Sequence, residues 1–135
     1  MWPSSTDAES FMPTKTVLDV GNCGPDHASI KSMLEDNFDV QVLQSNETSD
    51  TLVTLAAKSV DLVLINRKLD TDYSDGVEVL KAIRADGNLD DIPVMLVTNH
   101  TEHQQAAIEQ GAVRGFGKLA LNDPQTISNL TQYLN

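Results

Sequence analysis

Basic residues and cysteine are scarce in this 135-residue sequence. Nine Lys and Arg stand against twenty Asp and Glu, so the formal net charge is −11 at pH 7. A charge of this sign argues against direct binding to nucleic acid or to an anionic membrane. The single cysteine, Cys23, cannot form an internal disulfide, and no signal peptide or long apolar run is visible. We therefore expect a cytoplasmic protein.

Hydrophobic residues make up 40% of the chain, which is enough for one compact domain. Residues 1–14 mix Pro, Ser, Thr and acidic residues without periodicity, and they are predicted to form a flexible N-terminal tail. Residues 15–135 are predicted to form the domain. Short apolar runs there alternate with segments of helical periodicity, which is the pattern of parallel strands joined by crossover helices.

Five strands are predicted, and the third and fourth are almost entirely aliphatic, which is typical of strands covered on both faces. The predicted strands are Thr16–Val20, Phe38–Leu43, Val60–Ile65, Ile92–Val97 and Ala112–Gly117. The other segments carry apolar residues at helical spacing, namely Ile30, Met33, Leu34, Leu52, Leu55, Ala56, Val79, Leu80, Ile83, Ile127, Leu130 and Leu134. The sequence therefore predicts an α/β fold, a (βα)5 doubly wound sheet of five parallel strands.

Three helix starts carry recognisable local signals. Pro25 suits the first turn of a helix after the first strand. Thr101 with Gln104 forms a plausible capping box, and Asp123 followed by Pro124 opens a last helix.

Ligands of a doubly wound sheet bind at the carboxyl ends of its strands, where the strand order reverses. The candidate site residues are therefore those that follow the predicted strands. They are Gly21, Asn22 and Cys23 after the first strand, Asn66 and Arg67 after the third, Thr98 and Asn99 after the fourth, and Lys118 after the fifth.

Three segments together resemble the receiver domain of two-component response regulators, over about 120 residues from Lys15 to the end. They are DGVEVLKAIR at 75–84, IPVMLVT at 92–98, and Gly111-Ala112 placed before Lys118. The resemblance implies a flavodoxin-like receiver fold. In such receivers, two acids after the first strand and an aspartate after the third bind Mg²⁺, and that aspartate accepts a phosphoryl group from a histidine kinase. A Ser or Thr after the fourth strand and a Lys after the fifth contact the phosphoryl oxygens.

The sequence keeps only part of that set. Thr98 and Lys118 match the hydroxyl and lysine positions, whereas Gly21 and Asn22 stand at the acidic pair and Asn66 at the phosphoacceptor. A carboxamide is a poor nucleophile and carries no charge, so neither an acyl phosphate nor a Mg²⁺ site is expected. We expect no cofactor. Restoring the chemistry is expected to need Gly21→Asp, Asn22→Asp and Asn66→Asp together.

Other departures concern the switch that follows phosphorylation in this family. Gly115 occupies the usual aromatic position, and Phe116 then points to the opposite face of its strand. Leu119 replaces the usual proline after the lysine. The loop from Asn66 to Gly76 is about two residues longer than usual.

Several acids and histidines allow alternative interpretations. Asp19, inside the first predicted strand, is expected to be partly exposed or paired with a lysine, because an unpaired buried carboxylate is costly. With a shifted register it could instead form an acidic site with Asp70 or Asp72. The simpler expectation for Asp70, Asp72 and Asp75 is a solvated loop, and for His100 and His103 it is surface exposure without a metal. Cys23 is expected to have no redox role.

The predicted function is that of an atypical, stand-alone receiver that is not an enzyme and docks to another signalling protein, such as a kinase, regulator or output protein. Its oligomeric state is not predicted. One alternative is a conventional phosphoacceptor using the shifted acidic site. Another is an anion-binding or metabolite-binding module formed by residues 21–24, Thr98 and Lys118. Lys118 is further predicted to hydrogen-bond to Asn66, so that Asn66→Asp would stabilise the protein by about 1 kcal/mol.

Overall fold

The computed structural model describes residues 15–135, so the predicted tail at 1–14 lies outside the described residues. Strands and helices alternate along the chain, as predicted from the sequence. The strands are β1 (Lys15–Val20), β2 (Val40–Ser45), β3 (Leu62–Asn66), β4 (Val94–Val97) and β5 (Val113–Phe116). The helices are α1 (Gly24–Asn37), α2 (Thr48–Ala57), α3 (Gly76–Ala85), α4 (Thr101–Glu109) and α5 (Pro124–Leu134), and a 3-10 turn spans Lys118–Ala120.

The five strands form one sheet in the order β2-β1-β3-β4-β5, and every adjacent pair is parallel. This arrangement confirms the predicted doubly wound, flavodoxin-like receiver fold. The strand order reverses between β1 and β3, so the loops after these two strands meet at the carboxyl edge of the sheet. No helix within residues 15–135 is long and apolar enough to cross a membrane.

Helices cover both faces of the sheet and bury two hydrophobic clusters. One cluster packs α2, α3 and α4 against the sheet, and the other packs α1 and α5 against its opposite face. Alternation along β1 places Leu18 in the first cluster and Val17 in the second. Asp19 therefore points to the Val17 side, away from solvent.

Most predicted core positions of the helices are confirmed, and one in α2 is wrong. Leu55 is buried, but Ala56 is exposed and Thr51 takes the inward position. The Thr51 hydroxyl shares a hydrogen bond of 2.7 Å with the Ser45 hydroxyl at the end of β2. A hydrophobicity pattern alone misses this position because a satisfied threonine replaces an aliphatic residue.

The predicted capping box of α4 is also wrong. His100 is the N-cap residue, and Gln104 is buried rather than capping the helix. The Gln104 Nε2 donates to the Leu96 carbonyl at 2.9 Å, while its Oε1 accepts from the Gly115 amide at 2.9 Å. Gln104 thus joins the ends of β4 and β5. The predicted Asp123 cap of α5 is confirmed, with its carboxylate 3.0 Å from the Gln125 amide.

Candidate functional site

A shallow depression of about 250 Å³ lies at the carboxyl ends of β3 and β4. It is lined by Asn66, Arg67, Lys68, Val97, Thr98, Asn99, His100 and Lys118. The fold thus brings Asn66, Thr98 and Lys118 together, as expected for the ends of neighbouring parallel strands. Gly21 and Asn22 follow β1 and do not line this depression.

The Lys118 ammonium pairs with an acid that sequence reasoning missed. Its Nζ donates to Asp26 Oδ2 at 2.7 Å, and both side chains are partly exposed. The hydrogen bond from Lys118, followed by one from the Cys23 thiol, lowers the pKa of Asp26. The predicted bond between Lys118 and Asn66 is therefore wrong. Asn66 Nδ2 instead donates to the Lys68 carbonyl at 2.6 Å.

Thr98 is buried at the rim of the depression, with 8% of its surface exposed. Its Oγ1 accepts a hydrogen bond from the His100 amide at 3.2 Å, and its own amide donates to the Phe116 carbonyl at 3.0 Å. The hydroxyl proton of Thr98 remains able to donate, because the oxygen acts as the acceptor in the bond from the His100 amide.

Asp19 lies behind the site and is fully buried. Its Oδ2 is 2.7 Å from His27 Nδ1, and its Oδ1 accepts from Asn22 Nδ2 at 2.5 Å. Burial raises the pKa of Asp19, whereas hydrogen bonds from His27 and Asn22 and the charges of His27 and Lys118 oppose that rise. The expectation of a partly exposed or lysine-bonded acid is therefore wrong. The sequence signal that could have identified His27 as the partner of Asp19 is its position in the helical turn after Pro25, which faces β1.

A side chain does not fit at Gly21, the position at which the family resemblance implies the first acid. The φ of Gly21 is +78°, and a Cβ would overlap the Leu69 side chain and lie 3.3 Å from Leu69 Cα. The Asp70 amide donates to the Gly21 carbonyl at 2.9 Å. The loop after β3 therefore folds over the end of β1, and Leu69, which is 2% exposed, covers the position.

The same loop uses its acids to hold its own backbone. Lys68 and Asp75 form an antiparallel bridge, and the Asp72 carboxylate accepts from the Ser74 hydroxyl at 2.7 Å. Hydrogen bonds from Ser74 lower the pKa of Asp72. Asp75 caps α3 through the Val77 amide at 3.0 Å.

The proposed shifted acidic site and the histidine pair gain no support from this geometry. Asp70 and Asp72 are exposed, whereas Asp19 is enclosed between β1 and α1. His100 and His103 have ring centroids 5.3 Å apart in an edge contact. Within residues 15–135, no group of three His, Cys, Asp or Glu side chains could hold a metal ion.

The Mg²⁺ ion implied by the resemblance does not fit the residues at these strand ends. Asn22 Oδ1 is buried without a hydrogen-bond partner, so this uncharged oxygen is free to act as a ligand. Gly21 offers no side chain, Asn66 offers an uncharged amide, and the Asp19 carboxylate is already bonded on both oxygens. A hard divalent cation prefers several carboxylate oxygens, which this site lacks.

The resemblance also singles out Gly115, Phe116 and Leu119. A Cβ at Gly115 would overlap the Leu96 carbonyl oxygen, so the close approach of β5 to β4 requires glycine there. Phe116 is buried in the cluster under α1 and α5. Leu119 is 90% exposed.

A doubly wound domain of this strand order, with Thr98 and Lys118 at neighbouring strand ends, has the architecture of a signalling receiver. The chain belongs to the response regulator receiver domain family, which it matches over residues 27–130. No curated protein sequence matches the chain.

Solved structures of response regulators share this fold. The chemotaxis protein CheY4 of Vibrio cholerae has a TM-score of 0.71 and 20% identity, over 87% of this chain and 96% of that chain. The receiver domain of the Francisella response regulator 1452 has a TM-score of 0.65 and 20% identity, with coverages of 87% and 90%. The Mn²⁺-bound form of response regulator Rcp1 has a TM-score of 0.64 and 19% identity, also with coverages of 87% and 90%. At these identities the likeness shows the fold alone.

Proposed function

We propose that this chain is an atypical receiver that takes up no phosphoryl group and acts by docking to another cytoplasmic signalling protein. The observation that carries the proposal is the identity of three positions at the carboxyl edge of the sheet. Gly21, Asn22 and Asn66 stand where the family resemblance implies carboxylates. We propose that the chain is not an enzyme.

The bonding of Asn66 supports the absence of a phosphoacceptor. Its amide nitrogen donates to the Lys68 carbonyl at 2.6 Å, and an amide oxygen is a weak nucleophile at neutral pH. The Asp19 carboxylate is not free to replace it, because it is fully buried and engaged by His27 and Asn22.

The two remaining residues that match the family set, Lys118 and Thr98, are engaged by other groups of the protein. Lys118 is bonded to Asp26, and Thr98 accepts from the His100 amide. These contacts favour one arrangement of the strand ends. We infer that partners recognise this single arrangement, so that the protein signals by being bound or released.

The test is exposure of the full chain to acetyl phosphate with Mg²⁺, followed by intact mass spectrometry, with a conventional receiver treated in parallel. We expect no mass gain here and one phosphate on the conventional receiver. A gain of one phosphate would contradict the proposal. If that gain survived in Asn66→Ala, the acceptor would be the alternative acidic site.

A metal titration provides a second readout of the same proposal. The similar structure of Rcp1 holds Mn²⁺, whereas Gly21 and Asn22 offer this ion no carboxylate. Paramagnetic broadening of amide signals on Mn²⁺ addition should therefore not concentrate at Gly21, Asn22 or Asn66. Selective broadening there would mean that the site still binds a divalent cation.

A further inference from the structure

The sequence contains two Asp-Gly pairs, one at each end of α3. Asp75 and Gly76 open the helix, and Asp86 and Gly87 follow it in the loop that leads to β4. In an Asp-Gly pair the amide nitrogen of the glycine can attack the carboxyl carbon of the aspartate, because glycine has no side chain to hinder the approach. Since the two pairs share one sequence, a difference in their reactivity must come from the structure around them.

The two aspartates are held in the same way. Asp75 Oδ1 accepts from the Val77 amide at 3.0 Å, and Asp86 Oδ1 accepts from the Asn88 amide at 2.9 Å. Each carboxyl group is thus folded back toward the peptide unit of the glycine that follows it. The main-chain carbonyls of the two aspartates also match, since each accepts from the amide three residues further on at 3.0 Å.

The two glycines differ in how tightly they are held. The Gly76 amide donates to the Arg67 carbonyl at 2.7 Å, and Gly76 is buried, so that a Cβ there would overlap the Asn66 carbonyl oxygen. Gly87 is exposed, and nothing lies within 4 Å of its Cβ position. Its amide has no hydrogen-bond acceptor among residues 15–135. The Gly87 nitrogen is therefore free to react, and its peptide unit is free to rotate.

We propose that Asp86 isomerises spontaneously to isoaspartate, whereas Asp75 is protected. The Gly87 nitrogen bonds to Asp86 Cγ, and one carboxyl oxygen leaves as water with the carboxyl proton and the amide proton. Water then adds to the resulting succinimide ring. Cleavage between the nitrogen and Cγ restores aspartate, and cleavage between the nitrogen and the main-chain carbonyl carbon gives isoaspartate. The reaction needs no enzyme, oxidant or cofactor.

Isoaspartate at position 86 alters the main chain of one loop. The chain then runs through Cβ and Cγ of residue 86, which adds a carbon atom to the connection between α3 and β4. Arg84 holds the far part of this loop, because its guanidinium donates to the Leu89 carbonyl at 3.3 Å and to the Ile92 carbonyl at 2.8 Å. The loop precedes β4 and so lies at the edge of the sheet opposite the candidate functional site. The modification goes beyond the proposed docking function and is independent of it.

The test is incubation of the full chain at neutral pH and physiological temperature for several weeks, followed by digestion with trypsin. Cleavage after Lys and Arg places the two pairs in separate fragments, 69–81 and 85–114. A protein isoaspartyl methyltransferase with radiolabelled S-adenosylmethionine then methylates the free α-carboxyl group of each isoaspartate. We expect at least about tenfold more label in fragment 85–114, because reaction at Asp75 requires local opening of the structure.

The chain unfolded in guanidinium chloride provides the reference, because both pairs lose their surroundings there. The two fragments should then be labelled at similar rates. Similar labelling of the two fragments from the folded protein would overturn the protection of Asp75. If fragment 85–114 took up label only after unfolding, the proposed site at Asp86 would be wrong.

Gly87→Ala tests the role of the glycine nitrogen directly. The added methyl group meets no neighbour but hinders the attack, so labelling of fragment 85–114 should fall several-fold. The matched control is Gly24→Ala, at another position with nothing within 4 Å of the Cβ, and it should leave the labelling unchanged. Unchanged labelling in Gly87→Ala would assign the isoaspartate to Asp90 or Asp91 and contradict the proposal.

Discussion

Single side chains at the strand ends determine whether this receiver can hold a carboxylate at position 66. Asn66 is the central case, because its amide nitrogen donates to the Lys68 carbonyl at the start of the following loop. A carboxylate at this position loses that donor and places an oxygen against a carbonyl oxygen. Lys118 offers no compensation, since it is engaged with Asp26.

Asn66→Asp should therefore destabilise the protein by about 1 kcal/mol, in contrast to the stabilisation expected from the sequence. Urea unfolding at neutral pH measures this difference. Gln41→Glu, which adds the same charge at an exposed position of β2, is the control and should change stability by less than about 0.5 kcal/mol. Stabilisation by Asn66→Asp would show that Lys118 can leave Asp26.

The pair of Asp19 and His27 makes stability depend on pH. Burial raises the pKa of Asp19 above its ordinary 3.8, so the folded protein holds this proton more tightly than the unfolded chain does. The stability that the protonated carboxyl gives is fully present below pH 3.8 and is lost as pH rises through the raised pKa. The His27 contact at 2.7 Å reduces this loss.

His27→Ala should destabilise the protein by about 3 kcal/mol at neutral pH, because it leaves a buried carboxylate with one neutral donor. The cost should shrink as pH falls and the carboxyl takes up its proton. Urea unfolding of both proteins, measured from neutral pH down to acidic pH, checks this trend. The control His100→Ala removes an exposed imidazole and should show neither effect. If the destabilisation by His27→Ala did not depend on pH, a charged Asp19 would be excluded.

At the scale of secondary-structure elements, the loop after β3 closes over the end of β1. Gly21 adopts a φ of +78°, and Leu69 occupies the space a side chain would need. Neither the sequence of the strand nor the sequence of the loop is enough by itself to predict this contact. The loop must reach β1, which the amide of Asp70 does by bonding the Gly21 carbonyl.

Gly21→Ala should cost about 2 kcal/mol, because alanine is strained at this φ and its Cβ overlaps Leu69. Gly24→Ala is a matched control three residues later, since nothing lies within 4 Å of its Cβ position. Thermal unfolding of both variants measures the difference. Equal stability of the two would show that the loop moves aside easily.

The same contact argues against the reconstruction of a phosphorylation site that was expected from the sequence. A variant with Gly21→Asp, Asn22→Asp and Asn66→Asp should remain without phosphate after acetyl phosphate treatment, because the first change displaces Leu69. Intact mass spectrometry provides the readout. Phosphate uptake by the triple variant would show that the loop adapts to a carboxylate at position 21.

Gln104 links α4 to both β4 and β5, and a charge on it should loosen this edge of the sheet. Gln104→Glu removes the donor to the Leu96 carbonyl and buries a carboxylate, so we expect a loss of about 3 kcal/mol. Gln105→Glu makes the same change at the exposed next residue and should cost less than about 0.5 kcal/mol. Comparable losses by urea unfolding would contradict the bridging role.

At the scale of the whole molecule, the architecture was predictable because its signals are repeated along the chain. Aliphatic strands such as β3 and helix stripes such as that of α3 each follow from local hydrophobic spacing. The residues at the strand ends followed from the topology together with the family resemblance. Predicting these features does not require knowing where individual side chains point.

The partners of the site residues could not be predicted in the same way. Lys118 and Asp26 are 92 residues apart in the sequence, and nothing local links them. Asp19 and His27 meet only because α1 lies on the Val17 side of the sheet. Leu69 reaches Gly21 through a loop whose path is set by its own turns and bridges.

The contact between Gly21 and Leu69 also limits how such a protein can change over evolutionary time. A carboxylate at position 21 is harmful until the residue at position 69 has become smaller. A smaller residue at 69, which is now 2% exposed, leaves a cavity until that carboxylate arrives. Either order of mutation therefore passes through a less stable protein.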